Sequence, residues 1–81
     1  MRQLILYTGN HCSLCDQAKM LIYPLLTEYG WALEEINIAN NAALKNKYGS
    51  RIPVVVTPGG EEKDWPFTSG QIKRVLTADN L

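Results

Sequence analysis

Apolar and polar positions follow two different periods along this chain, and each change of period marks a change of element. Leu4-Ile5-Leu6-Tyr7 is a continuous apolar run stopped by Thr8-Gly9-Asn10, the pattern of a strand buried on both faces and followed by a turn. Beyond the turn, Leu14, Ala18, Leu21, Ile22, Leu25 and Tyr29 recur at spacings of three and four, and Gly30 follows. That stripe predicts an amphipathic helix ended by the glycine. Pro24 lies inside it, and a proline in a helix interior removes a backbone hydrogen bond at a cost of about 3 kcal/mol. A kink is expected there. Trp31 to Ile38 predicts an outer strand whose apolar positions change phase between Leu33 and Ile36, which suggests a bulge or a late strand start.

Asn40 or Asn41 can cap a short helix with Leu44 and Tyr48 on one face, and Gly49 suits a left-handed residue after its end. Val54-Val55-Val56, the turn Thr57-Pro58-Gly59-Gly60 and the segment Glu61 to Trp65 read as a hairpin, with Pro66 stopping its second strand. Thr68-Ser69-Gly70-Gln71 fits a capping box, Phe67 and Ile72 fit its hydrophobic staple, and Ile72, Val75 and Leu76 form the inward stripe of a last helix. The order is β-α-β-α-β-β-α. Right-handed crossovers make the early strands parallel neighbours and put helices on both faces of the sheet, an α/β layered fold. With no internal repeat, linker or low-complexity stretch, residues 1–81 read as a single domain.

Composition narrows the function more than the fold. Of 81 residues, 46% are hydrophobic and 20% charged, the balance of a globular chain rather than a disordered one. Eight basic and eight acidic residues cancel, so no long-range field favours nucleic acid or an anionic membrane. The run Leu4 to Tyr7 is too short for a signal-peptide core and nothing approaches a membrane span, so a cytoplasmic monomer is expected. Thiols are kept reduced in that compartment, and two cysteines separated by two residues then point to redox or metal chemistry.

Cys12 falls where the first helix begins, so unpaired N–H groups and the positive end of the helix dipole face its sulfur and favour the thiolate. In such motifs the thiol moves from a pKa of about 8.5 into the range of about 3.5 to 7.5. Cys15, one turn on, can hydrogen-bond the Cys12 thiolate and later attack a mixed disulfide to release the product. Cys12 is therefore the expected nucleophile and Cys15 the resolving thiol. The plainer alternative is that both are small buried hydrophobes. Metal is the other rival, but a closed zinc site takes four ligands, and Cys12, Cys15, His11 and Asp16 offer no well-spaced set in one chain. No metal site is expected. His11, Ser13 and Leu14 are the candidate tuning residues: protonated His11 would favour the thiolate, while Asp16 opposes it. Pro53, opening a valine strand, fits an open edge, a bend or a cis peptide.

Taken together, the segment Leu6-Tyr7-Thr8-Gly9-Asn10-His11-Cys12-Ser13-Leu14-Cys15-Asp16-Gln17-Ala18-Lys19 resembles the opening of glutaredoxins, whose usual motif is Cys-Pro-Tyr-Cys followed by a similar helix. Tyr48-Gly49-Ser50-Arg51-Ile52-Pro53-Val54 is similar to the segment that holds the cis-proline of thioredoxin folds. Asp64-Trp65-Pro66-Phe67 resembles the small bacterial glutaredoxin-like proteins. The resemblance implies a thioredoxin-like, glutaredoxin-type α/β fold with a four-stranded mixed sheet. It also implies a thiol-disulfide oxidoreductase that reduces protein or glutathione mixed disulfides, with Ile52 and Pro53 offering backbone to the substrate. No tightly bound cofactor is expected, and glutathione is a candidate reductant. Gly9 stands where many glutaredoxins carry a lysine for a glutathione carboxylate, and their Gly-Gly signature before the last helix is absent, so a dithiol mechanism is expected. A non-catalytic binding module and an iron-sulfur carrier bridging two chains are the alternative functions. The cluster is disfavoured because it needs four thiolate ligands.

Overall fold

A computed structural model describes residues 2–78 of the chain. In chain order they form β1 (Gln3–Thr8), α1 (Ser13–Tyr29), β2 (Ala32–Asn37), a single 3-10 turn (Ile38–Asn40), α2 (Ala42–Tyr48), β3 (Val54–Val56), β4 (Glu62–Asp64) and α3 (Ser69–Ala78). Among the described residues the strands make a four-stranded sheet in the order β2-β1-β3-β4. β1 and β2 are parallel, while β1–β3 and β3–β4 are antiparallel. The α/β order expected from the pattern is therefore the observed one.

The two faces of the sheet are covered unequally. Leu4, Leu6 and Val55 point to one face and pack with Ala18, Ile22 and Leu25 of α1 and with Ile72 and Leu76 of α3. The opposite face carries Val54, covered by Tyr48 of α2 and by Ile38. A helix of 7 residues spans only about 10 Å, so it shields one end of the sheet, and Ile5 and Tyr7 stay partly exposed. The expectation that β1 is buried on both faces is thus corrected.

The phase change in the second strand is not a bulge, because β2 pairs with β1 residue for residue from Gln3↔Ala32 to Thr8↔Asn37. Leu33 lies opposite Leu4 and packs on the α1 face, whereas Ile36 lies opposite Tyr7, on the other face of the sheet. Ile38 has already left the strand for the 3-10 turn. In α1 the inward stripe is Cys15, Ala18, Ile22, Leu25 and Leu26. Leu14, expected within it, is 43% exposed, since Cys15 occupies the inward position at the first turn. The helix continues through Pro24, whose ring faces solvent, and closes on Gly30 at φ 73°.

Gly49 departs from the expected left-handed cap: its φ is −53°, and glycine is required because a Cβ would collide with the Lys45 carbonyl. The hairpin turn has the expected centre, Pro58-Gly59, closed by Gly60 N–H to Thr57 O at 2.9 Å. The capping box on α3 is reciprocal. Gln71 N–H donates to Thr68 Oγ1 at 3.2 Å, and Thr68 N–H donates to Gln71 Oε1 at 2.9 Å.

Candidate functional site

The site forms where β1 gives way to α1. Cys12 is the N-cap of α1, with extended φ −101° and ψ 95°, and its sulfur accepts the Cys15 N–H at 3.1 Å. A sulfur thus does the work that a serine or aspartate oxygen does at other helix starts, satisfying one of the orphan donors. The chain is drawn into this turn by His11, whose φ of 54° is left-handed, a region that few non-glycine residues other than asparagine, aspartate and histidine enter. His11 is exposed, as are Ser13 and Leu14, so all three candidate tuning residues border the sulfur without being packed.

Cys12 and Cys15 are joined as a disulfide, with Cα atoms 5.2 Å apart. Their environments differ: Cys15 is 1% exposed, while Cys12 is partly open to solvent. An incoming molecule can therefore meet only the first sulfur. Of the two, only Cys15 is a core residue.

A groove of about 490 Å³ runs from Cys12 toward the edge of β2. Its floor is Gly9, His11 and Cys12, and its far wall is Lys19, Glu35 and Asn37. Asn37 Nδ2 donates to Asn10 Oδ1 at 2.9 Å, tying the end of β2 to the loop before the cysteines. Lys19 Nζ lies 3.2 Å from Glu35 and 3.6 Å from Asp16, and the hydrogen bond to Glu35 raises its pKa. Two carboxylates offset its charge.

Ile52 and Pro53 reach the same end of the sheet from the other side. β3 pairs with β1 through Tyr7↔Val54, and the Ile52–Pro53 and Trp65–Pro66 peptides are both cis. The Ile52 side chain lies over Gly9, where an added Cβ would fall 2.8 Å from Ile52 Cδ1. The contact joins the loop before the cysteines to the proline segment. The Trp65 N–H donates to Pro53 O at 3.0 Å, fixing the segment to the chain that follows β4.

Sequence reasoning did not find the ionic cluster behind this segment. Arg51 bonds Asp64 through Nε at 2.9 Å and Nη2 at 2.8 Å, and Glu62 through Nη2 at 2.8 Å. The signal was present in Glu62 and Asp64, two residues apart and therefore on one face of a strand. Arg51 holds both carboxyl groups below their usual range, with a Tyr48 hydroxyl bond adding to the effect at Glu62. A carboxylate whose folded pKa is depressed adds stability above its unfolded pKa of about 4 and loses it as pH falls through the folded value. In urea unfolding from pH 7 to pH 2, the stability difference between wild type and Arg51→Met should hold down to about pH 4 and close below it. A difference that is constant across the series would show that these ion pairs are not the source.

Among the described residues, no group of three or more His, Cys, Asp or Glu converges on a metal-sized site, and no helix is long and apolar enough to cross a membrane.

The sheet order, the cysteine pair at the start of α1 and the proline segment across from it define a thioredoxin-like domain with a Cys-x-x-Cys redox site. Residues 3–77 match the Glutaredoxin-like domain (DUF836). The chain belongs to that glutaredoxin-like family. It is similar to the X-ray structure of the target protein XcR50 from X. campestris, at 38% identity and a TM-score of 0.79 over 93% of this chain and 96% of that one. The solution structure of Ne2328 from Nitrosomonas europaea shares the fold at 24% identity and a TM-score of 0.76, over 99% of this chain and 91% of that one. A malarial protein shares it at 17% identity and 0.71, over 100% and 98% respectively. A search of curated proteins returns no match. The family and the cysteine pair together support a thiol redox function.

Proposed function

We propose that this protein is a dithiol oxidoreductase that reduces disulfides in proteins or glutathione mixed disulfides. The observation that carries the reading is the half-open Cys12 bonded to the buried Cys15 at the N-terminus of α1. In the reduced protein the Cys12 thiolate attacks one sulfur of the substrate disulfide. A bond forms from Cys12 to that sulfur, and the other half leaves as a thiolate and takes up a proton. Cys15, losing its proton, then attacks the Cys12 sulfur, forms the intramolecular disulfide and releases the second half as a thiol. Two electrons have passed from the dithiol to the substrate. An external thiol, glutathione or a protein dithiol, returns them, and no resident cofactor is needed.

The Cys15 N–H aimed at Cys12 Sγ supports the first step, because a hydrogen bond to the charged form lowers a pKa. The Ile52–Pro53 backbone, at the same end of the sheet, supports substrate docking beside it. Insulin reduction supplied by either glutathione or a thioredoxin system tests the proposal. The expected result is catalysed turnover, with Cys12 alkylated by iodoacetamide faster than a simple peptide thiol at pH 7. No turnover in either system, together with ordinary alkylation, would overturn it.

A further inference from the structure

The segment leading to Ile52 and Pro53, at the same end of the sheet as the cysteines, is held from behind by Arg51, with Lys47 Nζ also 3.7 Å from Glu62, and the hold is built from three elements. From β4, the carboxylate of Asp64 grips Arg51 in a two-point fork, with Glu62 completing it. From α2, the Tyr48 ring lies 5.1 Å from the guanidinium, and its hydroxyl donates to Glu62 Oε2 at 3.0 Å. From β1, the Tyr7 ring stacks on Tyr48 with centroids 4.3 Å apart and planes 16° apart. Arg51 is thus wedged between an aromatic stack that rests on the central strand and two carboxylates on the edge strand.

The next residue in the chain is Ile52. Its N–H donates to Tyr48 O at 3.1 Å, as does the N–H of Arg51 at 2.8 Å, so the backbone turns at this point and presents Ile52 over Gly9. A planar guanidinium in a bidentate fork fixes direction as well as distance, which an ammonium cannot do. We propose that Arg51 is a positioning residue for disulfide substrates, its fork to Asp64 and Glu62 setting the main chain of Ile52 and Pro53 on which a polypeptide substrate docks beside Cys12. The inference rests on the oxidoreductase reading above and goes beyond it by assigning substrate alignment to a residue outside the groove. It also separates two functions in space. The thiolate at Cys12 is served by the N-terminus of α1, whereas docking is served by the α2 and β4 side of the sheet.

The test is steady-state reduction of insulin by wild type, Arg51→Met, Arg51→Lys and the reversed pair Arg51→Asp/Asp64→Arg. It is read beside the iodoacetamide rate of the reduced proteins and their urea midpoints. Arg51→Met should raise KM about tenfold, change kcat less than about twofold and leave the Cys12 alkylation rate unchanged. Arg51→Lys should fall between, because it keeps the charge and loses the fork. The reversed pair should recover at least half of the lost kcat/KM.

An Arg51→Met KM within about twofold of wild type overturns the inference. So does a loss of kcat and alkylation rate at constant KM, or a reversed pair that regains its urea midpoint without regaining KM. Wild-type protein that reduces insulin in neither system would remove the oxidoreductase reading and this inference with it. An active wild type with an unaffected Arg51→Met removes the inference alone.

Discussion

Cys15→Ser is expected to react with a disulfide substrate once and then stall. The serine keeps the backbone N–H that reaches Cys12 Sγ at 3.1 Å, so the nucleophile retains its hydrogen bond and only the second sulfur is lost. Cys12 still attacks and forms a mixed disulfide, but nothing within the protein can displace the product. Turnover of protein disulfides should fall about a hundredfold or more, and mass spectrometry should find the substrate half covalently attached through Cys12. Cys12→Ser should neither turn over nor trap, because the remaining thiol is 1% exposed and beyond the reach of a substrate. Gly9 offers no side chain to meet a glutathione carboxylate, so glutathione should not rescue Cys15→Ser. Brisk glutathione-supported turnover by that variant would replace the dithiol cycle with a monothiol one.

Leu6→Ala is expected to have the largest effect on stability. Leu6 is 0% exposed and lies in the strand flanked by β2 and β3, opposite Glu35 and Val55. Its side chain is enclosed on the face shared by α1 and α3. Removing it loses the transfer free energy of the buried methyls and leaves a cavity that a hydrogen-bonded central strand cannot close, a cost of about 3 kcal/mol. A domain of 81 residues has total stability on the order of 4 to 12 kcal/mol, so a large part of it is at stake. Met20→Ala, at a position 78% exposed on α1, should change stability by less than about 0.5 kcal/mol. Equilibrium urea unfolding of the two variants makes the comparison, and a Leu6→Ala loss below about 1 kcal/mol would contradict the packing described for β1.

What could be read directly from the residues was local. The apolar run Leu4 to Tyr7, the three-and-four spacing from Ala18 to Tyr29 and the Thr68–Gln71 capping box each specify their element within one or two turns of chain. The placement of Cys12 at a helix start followed from the same short-range signals. Gly30 and the Pro58-Gly59 turn were likewise legible, because backbone sterics act within a few residues.

Tertiary structure decided what depends on partners far along the chain. Whether Leu14 or Cys15 turns inward is settled by which side of α1 meets the sheet, and periodicity admits both. The opposite facing of Leu33 and Ile36 reflects two unequal layers, the long α1 on one side and the short α2 on the other. Gly49 is a glycine because of the Lys45 carbonyl beside it, and Gly9 lies under Ile52, 43 positions later in the sequence. The Arg51 fork joins a loop to a strand 11 and 13 residues away, and only the β3–β4 pairing brings its charges together. Sequence placed the cysteine pair at a helix start because the signals for that start are local. The surroundings of Cys12 are assembled from separate segments, β1, β2 and the Ile52–Pro53 peptide, and their juxtaposition exists only once the sheet has formed.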